Sequence, residues 1–220
     1  MVDSLAPSTY KVRQILRCLA ETYPEPRTEL RFETPWQLLV ATILSAQCTD
    51  RRVNLITPRI FADYPDARAL AQLSTDALEE LIRDCGLYRM KAKNLLATAR
   101  IMVEAYDNRV PPTRESLMQL PGVGQKTANV VLANAFGVPA IAVDRHVFRV
   151  THRLGWSSAR DPGGTERDLM RVIPRRLWNP SHHRLILHGR QVCRASRPRC
   201  DTCSLRRWCA QVGISFSSQA

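Results

Sequence analysis

The chain has little lysine, almost no acid near its C-terminal end and no long apolar run. Only Lys11, Lys91, Lys93 and Lys126 among its 32 basic residues are lysines, so nearly all its positive charge is arginine. Against 20 acids this leaves a net charge of +12 and an isoelectric point near 10.0. From Arg171 onward ten arginines face a single acid, Asp201. Guanidinium groups bind phosphate in a two-pronged fashion, and this balance favours an acidic polymer as partner. The lack of an apolar run excludes a membrane-spanning helix, and the N-terminus has no signal-peptide core. No segment alternates apolar and polar residues as a half-buried strand would; Val138–Val143 is the only apolar run that could be extended, and it is short. A spread of paired cysteines is also missing. There are seven, an odd number, and four crowd into Cys193–Cys209, which excludes a secreted disulfide framework and points to a metal site in a reducing compartment. A cytoplasmic protein with an acidic polymer as partner is expected.

What is present reads as helices. Val12, Ile15, Leu16 and Leu19 lie at helical spacing in residues 11–22, before a linker marked by Pro24 and Pro26. Thr34-Pro35 starts a helix over 36–45 that is apolar on most sides and so belongs in a core. Asp50 is the expected cap of the next helix, and Pro58 is expected to kink it. Further helices are expected at 66–73, at 75–85 (capped by Ser74, stopped by Gly86), at 91–106, and from Pro111-Pro112-Thr113 up to Leu120. Asp144 caps a helix that Gly155 ends, and two more run over 165–173 and 181–193. The fold class is all-α.

The chemistry concentrates in Leu120-Pro-Gly-Val-Gly-Gln-Lys-Thr-Ala-Asn-Val-Val-Leu, followed by Val143-Asp144-Arg145-His146-Val147. A turn with Gly122 and Gly124 on either side of Val123, leading into a helix, can present backbone N–H groups to a phosphate. As a helix–hairpin–helix it would hold a DNA backbone without reading bases. A P-loop needs four residues between its glycines and a preceding strand, and neither is present. A bare Gly-x-Gly is more often a plain interhelical turn; Lys126, Asp144 and the basic tail move the reading away from that. Lys126 falls in the first turn of the helix, where the dipole disfavours its protonated form. An amine there can attack a sugar C1′, and a carboxylate can stabilise the cationic sugar. Taken alone, the lysine reads as a solvated helix residue and Asp144 as a cap.

Cys193, Cys200, Cys203 and Cys209 supply four thiolates, a count that suits zinc or a [4Fe–4S] cluster. Zinc sites usually come as two close pairs; here one pair is close and the outer spacings suit the larger cluster better. Arg194, Arg197 and Arg199 fall in this loop, positioned for a phosphate backbone. Cys18, Cys48 and Cys85 read as small buried hydrophobes.

With these motifs in hand, the chain resembles the endonuclease III family of the helix–hairpin–helix Gly/Pro-Asp superfamily of DNA glycosylases. The likeness runs from Pro24 through Ser45-Ala46-Gln47, Gly86-Leu87-Tyr88 and Leu120–Arg149 to Leu187-His188-Gly189-Arg190 and the cysteine loop. It implies two helical domains with a DNA-binding cleft between them: a six-helix barrel at 28–138, and a [4Fe–4S] domain built from 1–27 and 139–220. It implies a monomer in which Lys126 is the Schiff-base nucleophile and Asp144 the catalytic carboxylate. Gln47 would fill the gap left by an extruded nucleotide, and Leu87 would wedge into the opposite strand. The lysine, and a chain that stops eleven residues after Cys209, separate it from adenine glycosylases with the same cluster and imply a bifunctional glycosylase/AP lyase acting on oxidised pyrimidines in duplex DNA. Arg145, where the family usually has threonine, and Met118, where glutamate is common, depart from the pattern and bear on substrate range and turnover; a cation beside Asp144 is expected to favour the ionised carboxylate and crowd the pocket. The competing reading is a duplex- or damage-binding iron–sulfur protein with weak or no glycosylase activity.

Overall fold

The computed structural model describes residues 7–214, and these contain helices, turns and no strand. The chain divides into two compact units, residues 28–138 and a second that joins the segment up to residue 27 to everything from 139. The outer ends of the second span, 1–6 and 215–220, lie outside the described residues.

Residues 28–138 hold seven helices: α2 (Pro35–Leu44), α3 (Asp50–Asp63), α4 (Ala67–Ala71), α5 (Thr75–Leu81), α6 (Tyr88–Ala105), α7 (Arg114–Met118) and α8 (Gln125–Ala135). α2 is buried along nearly its whole length, because its sequence offers no polar stripe beyond Gln37. Leu38, Leu39 and Leu44 are fully enclosed, each worth about 1.5–3 kcal/mol of burial. α8 packs against α2 and α7, while α4 and α5 pack against α6.

The other unit holds α1 (Thr9–Thr22), α9 (Arg145–Arg153), α10 (Pro162–Val172) and α11 (Trp178–Gln191). α11 packs against α9 and α1, around a core that includes Ile15, Leu19, Val147, Leu169 and Leu185. The 138–143 segment is irregular, and Ala140–Val143 are buried without joining a ladder.

Several boundaries differ from the sequence reading. Thr49, not Asp50, caps α3: its hydroxyl accepts from Arg52 N at 3.2 Å, and Asp50 is the first helical residue. α3 continues through Pro58 as one element. α5 ends at Leu81 because Ile82 and Cys85 are both drawn into the core by a tight turn, Cys85 N donating to Ile82 O at 2.8 Å. α6 starts three residues early, at Tyr88, with Leu87 in the left-handed region at φ 58°. α10 also starts three residues early, at Pro162, where Asp161 accepts from Gly164 N at 2.8 Å. That Asp-Pro pair is a standard helix start. α11 begins at Trp178, after a short 3-10 turn over Arg175–Leu177.

The turn between α7 and α8 is held from the side by α6. Thr98 Oγ1 donates to Pro121 O at 3.0 Å, and Val123 N donates to Leu120 O at 3.1 Å. Gly122 adopts φ +78° with Asn94 against it, so an added Cβ would lie 2.9 Å from Asn94 Nδ2. Gly124 is extended, and a Cβ there would meet nothing within 4 Å. Gly122→Ala is therefore expected to cost about 1–3 kcal/mol, from backbone strain and the Asn94 clash. Gly124→Ala should cost under about 1 kcal/mol, the difference between the two residues as helix caps. Urea unfolding of the two variants measures this, and equal losses would contradict the assignment of strain to Gly122.

Candidate functional site

Lys126 is the second residue of α8 and is exposed. The helix starts at Gly124, which has no side chain to satisfy the first amides, and its first internal bond is Ala128 N to Gly124 O at 2.9 Å. The N–H groups of Lys126 and Thr127 therefore precede the first intrahelical donor, beside open space at Gly124. This is the geometry of an anion-binding helix start. Val123, expected among the DNA-contacting residues, has its side chain in the core and its N–H turned to Leu120 O. The apolar residue between the glycines anchors the turn and is not part of its outer surface.

Asp144 caps α9. One carboxylate oxygen, Oδ1, accepts from both His146 N and Val147 N at 2.8 Å. No hydrogen bond to Oδ2 is present among the described residues, so capping occupies half of the carboxylate and leaves the other oxygen for chemistry. Arg145 is exposed, and its Nε points to His146 Nε2 at 3.4 Å. It forms no ion pair with Asp144 among the described residues. His146 is held below the usual histidine range by burial, against the opposing pull of Asp144, with Arg149, Arg145 and Arg190 adding to the depression.

Gln47 and Leu87 are exposed and stand in the left-handed region, at φ 53° and 58°. Their turns lie side by side, since a side chain at Gly86 would meet Gln47 O at 3.2 Å. Two non-glycine residues in that region each cost of order 1 kcal/mol or more, which marks a conformation imposed by the surroundings. Met90, one turn into α6, is exposed as well.

Cys193, Cys200, Cys203 and Cys209 line one cavity walled by Val150, Leu154, Val192 and Leu205. Burial, and behind it the charge of neighbouring thiols, raises Cys200, Cys203 and Cys209 above the ordinary thiol range. A metal cation would relieve that repulsion and hold the thiolate forms. Donors already approach the sulfurs: Arg153 Nη1 lies 3.5 Å from Cys193 Sγ, and Gln211 N lies 3.4 Å from Cys209 Sγ. His188 Nε2 lies 3.7 Å from Cys203 Sγ, and burial pushes this histidine down to about 4, so it is neutral. The donor set fits a thiolate-bound metal group. Among the described residues, no three His, Cys, Asp or Glu side chains are gathered tightly enough for a single ion.

The sequence reading missed the side chains that grip this loop. Arg149 Nε donates to Cys193 O at 3.0 Å, and its Nη2 donates to Gly189 O at 2.9 Å. Arg153 donates to the carbonyls of Arg194 and Ala195. The signal available was their spacing, i and i+4 on the helix that Asp144 starts, which places them on one face. Arg194, Arg197 and Arg199 are all exposed, with Arg197 left-handed at φ 51° at the loop's outer bend. Lys91 was also missed. It is 4 % exposed, donates to Leu44 O at 2.8 Å, and lies near Cys48 and Cys85.

Comparison with known proteins places this geometry. Residues 40–175 match the family model described as HhH-GPD superfamily base excision DNA repair protein. The chain is 48% identical over 216 residues to endonuclease III of Synechocystis sp., covering 98% of this chain and 99% of that protein. It is 43% identical over 196 residues to endonuclease III of Escherichia coli K12, covering 89% and 93%. It also resembles the solved structure of a trapped endonuclease III–DNA covalent intermediate, with a TM-score of 0.88 at 43% identity over 93% of this chain and 96% of that one. A thermostable thymine-DNA glycosylase shares the fold, at a TM-score of 0.85 and 23% identity over 93% of this chain and 97% of that one. The chain belongs to the endonuclease III family, within the HhH-GPD superfamily of base excision DNA repair proteins.

Proposed function

We propose that the protein releases oxidised pyrimidines from duplex DNA and then cleaves the abasic site by β-elimination, with Lys126 as nucleophile and Asp144 as the assisting carboxylate. Membership of the family makes it a base excision repair glycosylase and AP lyase. The lesion class and the roles of individual residues are our reading. The observation that carries it is an exposed lysine in the first turn of a helix whose start has no side-chain cap.

The chemistry follows from these groups. Lys126 Nζ attacks C1′ of the extruded nucleotide as the bond to the damaged base breaks, and the base leaves with its electron pair and takes up a proton. Opening of the sugar ring gives a protonated Schiff base. The C2′ proton is then removed, and the 3′ phosphate departs. Hydrolysis returns the free amine. The unbonded Oδ2 of Asp144 is placed to stabilise positive charge on the sugar and to move protons, while Oδ1 stays on the two amides that orient it. The open amides at the start of α8 and the exposed Arg194, Arg197 and Arg199 would take phosphates, Gln47 the space left by the extruded base, and Leu87 the opposite strand.

Cys193, Cys200, Cys203 and Cys209 would hold a [4Fe–4S] cluster, which supplies a rigid cross-link for the arginine loop. One close cysteine pair with wide outer spacings suits a cluster better than zinc, whose sites usually come as two close pairs.

Three measurements test this. Borohydride should trap a covalent complex with abasic duplex, and Lys126→Gln should abolish trapping while duplex binding survives; undiminished trapping would remove Lys126 from the chemistry. Arg197→Ala should weaken binding to all duplexes alike and reduce the slope of log affinity against log salt by about 1, the value for one phosphate contact. The purified protein should be brown and contain iron and sulfide, whereas a colourless protein containing zinc refutes the cluster assignment.

A further inference from the structure

We propose that Cys48 and Cys85 are a peroxide-sensitive thiol pair whose disulfide ties the Gln47 turn to the Leu87 turn and switches base excision off. The inference rests on the reading of Gln47 and Leu87 as the residues that probe the duplex.

Both cysteines end tight turns, Cys48 N donating to Ser45 O at 3.1 Å and Cys85 N to Ile82 O at 2.8 Å. Three contacts hold these turns together. Gly86 lies against Gln47 O, Arg52 reaches Asp84 at 3.8 Å, and Cys48 packs against the same core that encloses Cys85. Each cysteine is next to a functional position: Cys48 follows Gln47, and Cys85 precedes Gly86-Leu87. Lys91, buried and held on Leu44 O, lies near both cysteines, and its charge opposes the rise of the Cys85 thiol. Cys48 is partly exposed and Cys85 is enclosed at 1 %. Burial first, and the neighbouring Cys48 after it, push the Cys85 thiol up to about 11, so Cys85 is protonated at neutral pH.

The oxidation proceeds in two balanced steps. Cys48 thiolate attacks one oxygen of hydrogen peroxide, the O–O bond breaks, and Cys48 sulfenic acid forms with release of hydroxide. Cys85 sulfur then attacks the sulfenic sulfur and the S–O bond breaks; the hydroxyl leaves with the Cys85 proton as water. Two thiols are oxidised by two electrons, and one peroxide is reduced to two waters. A disulfide of about 2.05 Å draws the sulfurs well inside thiol contact. Both flanking residues already occupy a left-handed conformation that the surrounding structure imposes, so they have little freedom to absorb the pull without moving.

The test uses the full chain with reduced thiols, treated with a small excess of hydrogen peroxide and quenched. Peptide mapping should find Cys48 linked to Cys85. Base release should fall on the order of a hundredfold, the effect of misplacing groups by about 1 Å. Thiol reductant should restore it, and binding to undamaged duplex should persist. Cys48→Ala and Cys85→Val should keep basal activity and lose the peroxide response; either variant alone suffices if the other folds poorly. Absence of the linked peptide, a linked enzyme with unchanged excision, or the same loss in Cys48→Ala overturns the proposal. If the reduced protein releases no damaged base from any duplex, the functional reading fails instead, and the mapping by itself still decides whether the bond forms.

Discussion

A helix cannot satisfy its own first amides, and the way this chain meets that requirement organises its functional surface. Within residues 28–138 five helix starts are closed by a side-chain oxygen, from Thr34, Thr49, Asp66, Ser74 and Thr113. Two carry no such cap: α6, which begins after left-handed Leu87, and α8, which begins at Gly124. A side-chain cap contributes about 1 kcal/mol, so the chain forgoes stability at the two helix starts that carry Leu87 and Lys126. The cost at α8 is offset by packing on α2 and α7 and by the grip of α6 on the preceding turn.

In the other unit the helix starts are again mixed: Asp144 and Asp161 cap α9 and α10, while α1 and α11 have no side-chain cap. α9 is capped by Asp144, the one carboxylate to which the chemistry assigns a role. One turn and two turns further along, Arg149 and Arg153 fasten the first loop of the cysteine site through the carbonyls of Cys193, Arg194 and Ala195, and Arg149 also holds Gly189 O in α11. One helix therefore orients the carboxylate at its start and holds the arginine-bearing loop along its side. A change that loosens α9 should affect both together.

Most helices could be read from the sequence, because apolar spacing and capping residues are local signals. Boundaries failed where tertiary packing overrode them. Ile82 and Cys85 leave α5 because the core takes both, and Tyr88 joins α6 because Leu87 accepts a left-handed backbone. Val123 illustrates the same limit at the site. The sequence places it in a turn that presents backbone N–H groups, and whether its side chain packs inward depends on the core beside it. Arg145, next to Asp144 in sequence, is exposed with its Nε toward the His146 ring.

By itself the sequence determined the chemistry available: one lysine after Gly-Val-Gly, one aspartate opening a helix, four clustered cysteines and an arginine-rich end. These are properties of residue type and short spacing, which survive without coordinates. Only the tertiary structure decided that Cys48 and Cys85, thirty-seven positions apart, lie near one another and a buried lysine. It likewise decided that Asp144 keeps one oxygen unbonded while the other caps its helix. Both depend on which backbone segments pack side by side, and no local pattern carries that information.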